Sequence, residues 1–215
     1  MIKMLYLLNL GNQFIVERNW QQFHNPKNDI MNIMVESGEL AEHFIKNNFR
    51  SNPNQIAEEM ADILFGTLYF ASDMKIDVSN AIGLIINKAE LTDANCSYEE
   101  LQKAVLQNLD KFYLFSLKAE QVVFSLIWQV SQIGDIFIWD TKDESIIRAK
   151  EKYSFIATHI AHIVAHLIYL STLIEIDLPK EFIRKMEKNS SKYPVNSASR
   201  TDYIQIKDGS REHKK

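Results

Sequence analysis

Only six glycines and four prolines interrupt a chain of 215 residues. At about 3% and 2%, against the ~7% and ~5% of ordinary globular chains, they cannot supply the turns that many short strands require. The chain therefore reads as all-α. Gly11, Gly38, Gly66, Gly83, Gly134 and Gly209 also stand too far apart to build a glycine-rich phosphate loop. If a nucleotide is handled here, side chains and a metal must do it.

Helical signals run the length of the chain. Asn12 to Trp20 reads as a helix that stops at His24-Asn25-Pro26, because the residue before a proline is pushed out of the α region. From Lys27 to Lys46 the apolar residues Ile30, Ile33, Met34, Ala41, Phe44 and Ile45 recur at helical period. Asn52-Pro53 opens a third helix expected to reach about Met74, and Asp77 caps a fourth expected to reach about Glu90. Ser97-x-x-Glu100 is a capping box, followed by helical stretches near 101–118, 119–138, 144–175 and 178–190. From Val195 onward the chain is polar, and a loosely held tail is expected at 195–215.

With 46% apolar residues there is ample material for a core, as one large domain or two small ones. The net charge of −4 and the scatter of the basic residues give no stripe suited to a nucleic-acid backbone. Cys96 is the single cysteine, and the run from Met1 to Leu10 lacks a cleavage pattern, so a cytoplasmic protein is expected. The apolar run from Ile160 to Ile174 is short of the ~20 residues of a membrane span and carries histidines, so it reads as a buried helix rather than a membrane segment.

The second half echoes the first. Ile76-Asp77-Val78 falls on Ile176-Asp177-Leu178 at an offset of 100, as Leu68-Tyr69 falls on Ile168-Tyr169. Val35 to Leu40 falls on Trp128 to Ile133 at an offset of 93, the difference lying in the polar connection from Thr141 to Lys152. Two tandem units are expected, 1–95 and 96–194, packed as a pseudo-dimeric helix bundle.

Glu36 and Glu39 lie three apart on one expected helix, and Glu59 and Asp62 three apart on the next. Residues at i and i+3 share a face, so antiparallel packing would bring four carboxylates together. Surface carboxylates are the norm, and either pair alone reads as a solvated face. A converging quartet would instead repel itself without cations, and oxygen ligands of this kind select Mg²⁺ or Mn²⁺.

The pattern Glu36-x-x-Glu39, nineteen residues, then Glu59-x-x-Asp62 resembles the signature of the all-α nucleoside triphosphate pyrophosphohydrolases of the MazG and dimeric dUTPase superfamily. Phe14 to Asn28, Ser37 to Glu42 and Glu58 to Leu64 are similar to the dCTP pyrophosphatase branch, as are Ile176 to Pro179 and Lys185 to Pro194 near the end. The resemblance implies that Glu36, Glu39, Glu59 and Asp62 hold Mg²⁺ (or Mn²⁺) against a triphosphate, which metal-activated water splits into nucleoside monophosphate and pyrophosphate. It also implies that Trp20, His24 and Asn28 grip the nucleoside, and that Lys185, Asn189, Lys192 and Tyr193 meet the phosphates. A pyrimidine triphosphate such as dCTP is the implied substrate, in nucleotide pool sanitation. Two positions depart from the family: its Trp seven residues after the second Glu is Lys46 here, and its Tyr four after the Asp is Gly66.

At the four ligand positions the second unit carries Gln129, Gln132, His159 and His162, while Trp139 stands seven after Gln132. The units thus read as complementary, with one working site per chain, Trp139 among its substrate contacts, and association of such chains into dimers as the expected assembly. His159, His162 and His166 share a helical face, but no carboxylate or thiolate completes a tetrahedral zinc set, so they read as packed histidines. The alternative to catalysis is a retired helical module that binds a nucleotide or protein partner. The complete quartet in the first unit favours catalysis.

Overall fold

The computed structural model describes residues 1–46, 52–88 and 90–195. Nine α-helices account for these residues, without a strand among them: α1 Met4–Glu17, α2 Pro26–Ile45, α3 Pro53–Asp73, α4 Val78–Ile85, α5 Tyr98–Leu106, α6 Ala119–Phe137, α7 Lys142–Glu151, α8 Tyr153–Leu173 and α9 Leu178–Lys192. The fold is all-α, as composition requires. The polar tail from 196 lies outside the described residues.

Several boundaries differ from the sequence reading, each for a local reason. The first helix begins at Met4, because Met4, Leu7, Gly11, Phe14 and Ile15 already form a buried stripe of helical period. The fourth stops at Ile85: Lys88 N–H bonds back to the Gly83 carbonyl at 2.7 Å, with Asn87 in the left-handed region. The stretch 101–118 holds only α5 and a 3₁₀ turn, Leu109–Phe112, ended by left-handed Tyr113. The stretch 144–175 is two helices, since the Thr141/Glu144 capping box starts α7 inside the polar connection. The Ser97/Glu100 capping box is present at the head of α5.

α2 packs along α3, α6 along α8, and α2 against α6. The short helices cross over: α4 lies on α8, and α9 lies on α3. α1 covers α3 and α9, whereas α5 covers α8. The two crossings begin with the same reversal. Lys75 and Glu175 both take positive φ, at 58° and 57°. Ile76 N–H bonds to the Ala71 carbonyl and Ile176 N–H to the Ser171 carbonyl, both at 2.8 Å. Asp77 and Asp177 then cap α4 and α9 through the Asn80 and Lys180 amides.

α8 is long and apolar enough to cross a membrane, but 72% of its most apolar window is buried against the other helices, as befits a core helix. At Gly83 an added Cβ would lie 2.3 Å from the Lys88 carbonyl oxygen, backbone that cannot swing aside. Gly83→Ala should therefore cost about 1–3 kcal/mol despite its better helix propensity, read as a lower urea midpoint.

Candidate functional site

Antiparallel register along α2 and α3 brings Glu36 opposite Glu59 and Asp62. One carboxylate oxygen from each of these three lies within 4.8 Å of the others, the one such ligand group among the described residues. Glu59 is buried, and Glu39 lines the same cavity one turn along. That cavity has a volume of about 700 Å³ and runs the length of the α2–α3 seam, with α9 as its far wall.

α9 supplies the opposite charge. Lys185 Nζ is 2.5 Å from Asp62 Oδ2, and Glu58 is met by Lys188 at 2.6 Å and Arg184 at 3.2 Å. Burial opposes the charge on Lys185, but Asp62 and its carboxylate neighbours hold its pKa above the ordinary lysine value. Burial likewise works to raise Glu58, and the Lys188 hydrogen bond with the Lys185 and Lys188 charges outweighs it, leaving that carboxyl below its usual range. Asn189, Lys192 and Tyr193 line the cavity on the same side. Glu58 and Lys188 escaped the sequence reading as site residues, although both sit inside the segments that carried the resemblance.

At the other end the walls turn aromatic. Trp20 is 7% exposed, edge-on to Phe14 at 5.5 Å and to Tyr193 at 5.2 Å. Arg18, buried beneath them, donates to the Tyr193 and Phe14 carbonyls at 2.6 and 3.0 Å and so pins the end of α9 against α1. His24 lies against Tyr69 with ring centroids 4.3 Å apart. Lys46 and Gly66 line the cavity too, and a Cβ at Gly66 would press on Ile33 at 2.9 Å.

Two expected substrate contacts stand elsewhere. Trp139 is 90% exposed and outside the cavity, because α6 ends at Phe137 and the following turn faces solvent. Lys27 holds that turn through the Ile138 and Asp140 carbonyls. Asn28 is also exposed and off the cavity wall, its side-chain amide donating to the Phe23 carbonyl at 3.2 Å.

On α6 and α8, expected ligand positions of the second unit bond to one another or pack among aromatic rings. His159 Nδ1 meets Gln129 Oε1 at 2.7 Å, the two residues that the expected repeat sets in line with Glu59 and Glu36. His166 bonds to Ser125 Oγ at 2.8 Å and to the His162 carbonyl at 2.7 Å. His162 is 7% exposed, between Phe112 and Tyr113, and its Nδ1 has no hydrogen-bond partner. Burial pushes both His162 and His166 down to about 4. A lowered histidine pKa means that the unfolded chain takes up protons that the folded chain refuses, so stability falls as pH drops from about 6.5 towards 4. Buried Asp29 and Asp93 are shifted upward and act in the opposite sense. The comparison that isolates the histidine is His162→Phe: between pH 7.5 and 5, urea unfolding should show a smaller stability loss in the variant than in the wild type.

With that geometry in hand, residues 25–96 match the MazG nucleotide pyrophosphohydrolase domain. The matched stretch contains all four carboxylates and both helices that carry them. The chain is similar to dCTP pyrophosphatase 1 of Bos taurus, 33% identical over 79 residues, which is 33% of this chain and 47% of the relative. It is likewise similar to the Rattus norvegicus and Homo sapiens proteins of that name, each 32% identical over 79 residues, with 46% of the relative covered. The match thus spans about half the length of these curated relatives. No solved structure gives a significant match.

Proposed function

We propose that the chain is a divalent-cation-dependent nucleoside triphosphate pyrophosphohydrolase, releasing nucleoside monophosphate and pyrophosphate. The observation that carries this is the clustering of Glu36, Glu59 and Asp62 oxygens within 4.8 Å on one wall of a cavity whose facing wall presents Lys185, Lys188 and Lys192. An all-oxygen donor set of this charge fits Mg²⁺ or Mn²⁺ and fits softer metals poorly. Glu36, Glu59 and Asp62 would hold the cation, with Glu39 beside them. When bound, it would polarise the phosphate oxygens and lower the pKa of an attacking water.

The remaining work falls to the chain itself. Lys185, Lys188, Asn189 and Lys192 neutralise and orient the triphosphate, so that charge on the departing pyrophosphate is met by fixed cations. Trp20, His24 and Tyr69 wall the end that accepts the nucleoside. The walls come from both halves of the sequence, α2 and α3 from one and α9 from the other. Together with the mirrored crossings of α4 and α9, this supports a duplicated unit in which 96–194 has given up its carboxylates and kept the phosphate helix. A pyrimidine substrate, pool sanitation, cytoplasmic location and self-association of chains complete the reading, with no role for nucleic acid or membrane.

The test is a panel of ribo- and deoxynucleoside triphosphates incubated with Mg²⁺ or Mn²⁺ and inorganic pyrophosphatase, with phosphate release measured. Monophosphate and pyrophosphate are expected, with a non-hydrolysable triphosphate binding at one per chain. Failure to hydrolyse any member would leave a binding module, and two equivalent sites per chain would refute the duplicated-unit account.

A further inference from the structure

Asp29 is 3% exposed, lines the cavity, and carries a carboxylate oxygen, Oδ2, with no hydrogen-bond partner. Its other oxygen, Oδ1, lies 2.5 Å from His24 Nδ1. With the one proton shared between Nδ1 and Oδ1, Oδ2 is left as an acceptor only. A buried acceptor without a donor is a standing cost, and natural structures rarely keep one without a use. Among the groups that face it, Asp73 adds like charge, and the Tyr69 hydroxyl, kept protonated by burial and by the Asp29 and Asp73 charges, makes no bond to Oδ2.

Position says what could supply the donor. Asp29 precedes Glu36 by seven residues on α2, and Tyr69 follows Asp62 by seven on α3, which places both about 10 Å along the seam from the carboxylate cluster. If the cluster is where the phosphates sit, as proposed above, Asp29 lies one nucleoside away, at the edge of the base. The His24 and Tyr69 rings flank that position.

We propose that Asp29 is a specificity-determining residue that reads the nucleobase: its free oxygen accepts from an N–H at the base edge, so bases with an amino group there are taken over those with a carbonyl. A carbonyl would meet the carboxylate lone pair to lone pair, leaving both unsatisfied, which is the arrangement sites discriminate against most strongly. His24 is the positioning partner, fixing the carboxylate by its hydrogen bond to Oδ1.

The pair dCMP and dUMP differs at position 4, amino against carbonyl, and at N3, an acceptor in cytosine and an N–H in uracil; the amino group is the one assigned to Asp29, and the comparison needs no turnover. Equilibrium titration of the full chain should give dCMP roughly tenfold tighter binding than dUMP. Asp29→Leu should bring the two within about twofold, mostly by weakening dCMP. Asp29→Ala serves the same purpose if the leucine variant does not fold. Independently of any variant, dCMP labelled with ¹⁵N at its amino group should show a downfield-shifted amino proton when bound to the wild type. Equal wild-type affinities, an unshifted amino proton, or a variant that keeps the wild-type ratio would each overturn the assignment of Asp29. Failure of both nucleotides to bind would instead remove the nucleotide cavity on which it rests.

Discussion

Glu36→Gln will lower turnover by roughly two to three orders of magnitude while melting no lower than the wild type. Three carboxylates within 4.8 Å repel one another in the absence of a cation, and Lys185 engages chiefly Asp62. Converting one of them to an amide of the same shape relieves that repulsion and removes a hard oxygen anion from the ligand set. A glutamine on a facing pair of helices is accommodated elsewhere in the chain, where Gln129 on α6 bonds to His159 on α8. Activity and stability should therefore separate. Adding Mg²⁺ should raise the melting temperature of the wild type and leave that of the variant nearly unmoved, because only a ligand bound to the native state shifts the midpoint. A variant that retains its rate would place the chemistry elsewhere, and one that unfolds would make Glu36 structural.

The parts of this site that were legible in the sequence share a property: their geometry is set by one helix at a time. The i and i+3 spacing placed Glu36 beside Glu39 and Glu59 beside Asp62 on common faces, whereas Lys185, Asn189, Lys192 and Tyr193 at the end of α9 were marked by the resemblance alone. Asp77 and Ser97 announced their helices through caps that need only local backbone. What escaped depends on contacts between distant segments. Trp139 was placed by analogy of spacing, yet α6 ends two residues before it and the turn carries it into solvent. Asp29 looked like an ordinary acidic residue in the first turn of a helix, where carboxylates are common for dipole reasons. Its burial follows only once His24, Tyr69 and Asp73 close around it. Arg18 was equally silent, since its role is to reach Tyr193 across 175 positions of sequence. The α7 capping box was visible as Thr141-x-x-Glu144, but the polar composition around it was read as a connection.

Residues 1–95 expressed alone will show neither a stable monomeric fold nor detectable nucleotide binding, and the second half supplied in trans will restore both. The first half contains all four carboxylates of the site, yet it is held by surfaces it does not own: α2 packs on α6, α3 on α8 and α9, and α4 on α8. Cutting at 95 exposes all of these seams at once. Loss of a few buried Leu or Ile side chains, at about 2–5 kcal/mol each, already matches the 5–15 kcal/mol that holds a typical domain together. Binding should fail for a separate reason, because Lys185, Lys188 and Lys192 depart with α9 and leave a cluster of like charges without its counter-wall. Circular dichroism and sedimentation of the fragment would report the first effect, and titration with a non-hydrolysable triphosphate the second. Co-expression with residues 96–215 should return both the helical signal and the binding, since the α2–α6, α3–α9 and α4–α8 seams can form without a covalent link. A fragment that folds as a monomer and hydrolyses triphosphates at the full rate would show that α9 contributes nothing to the site. A fragment that folds but binds only after α9 is restored would separate the two roles, stability residing in the first half and phosphate recognition in the second.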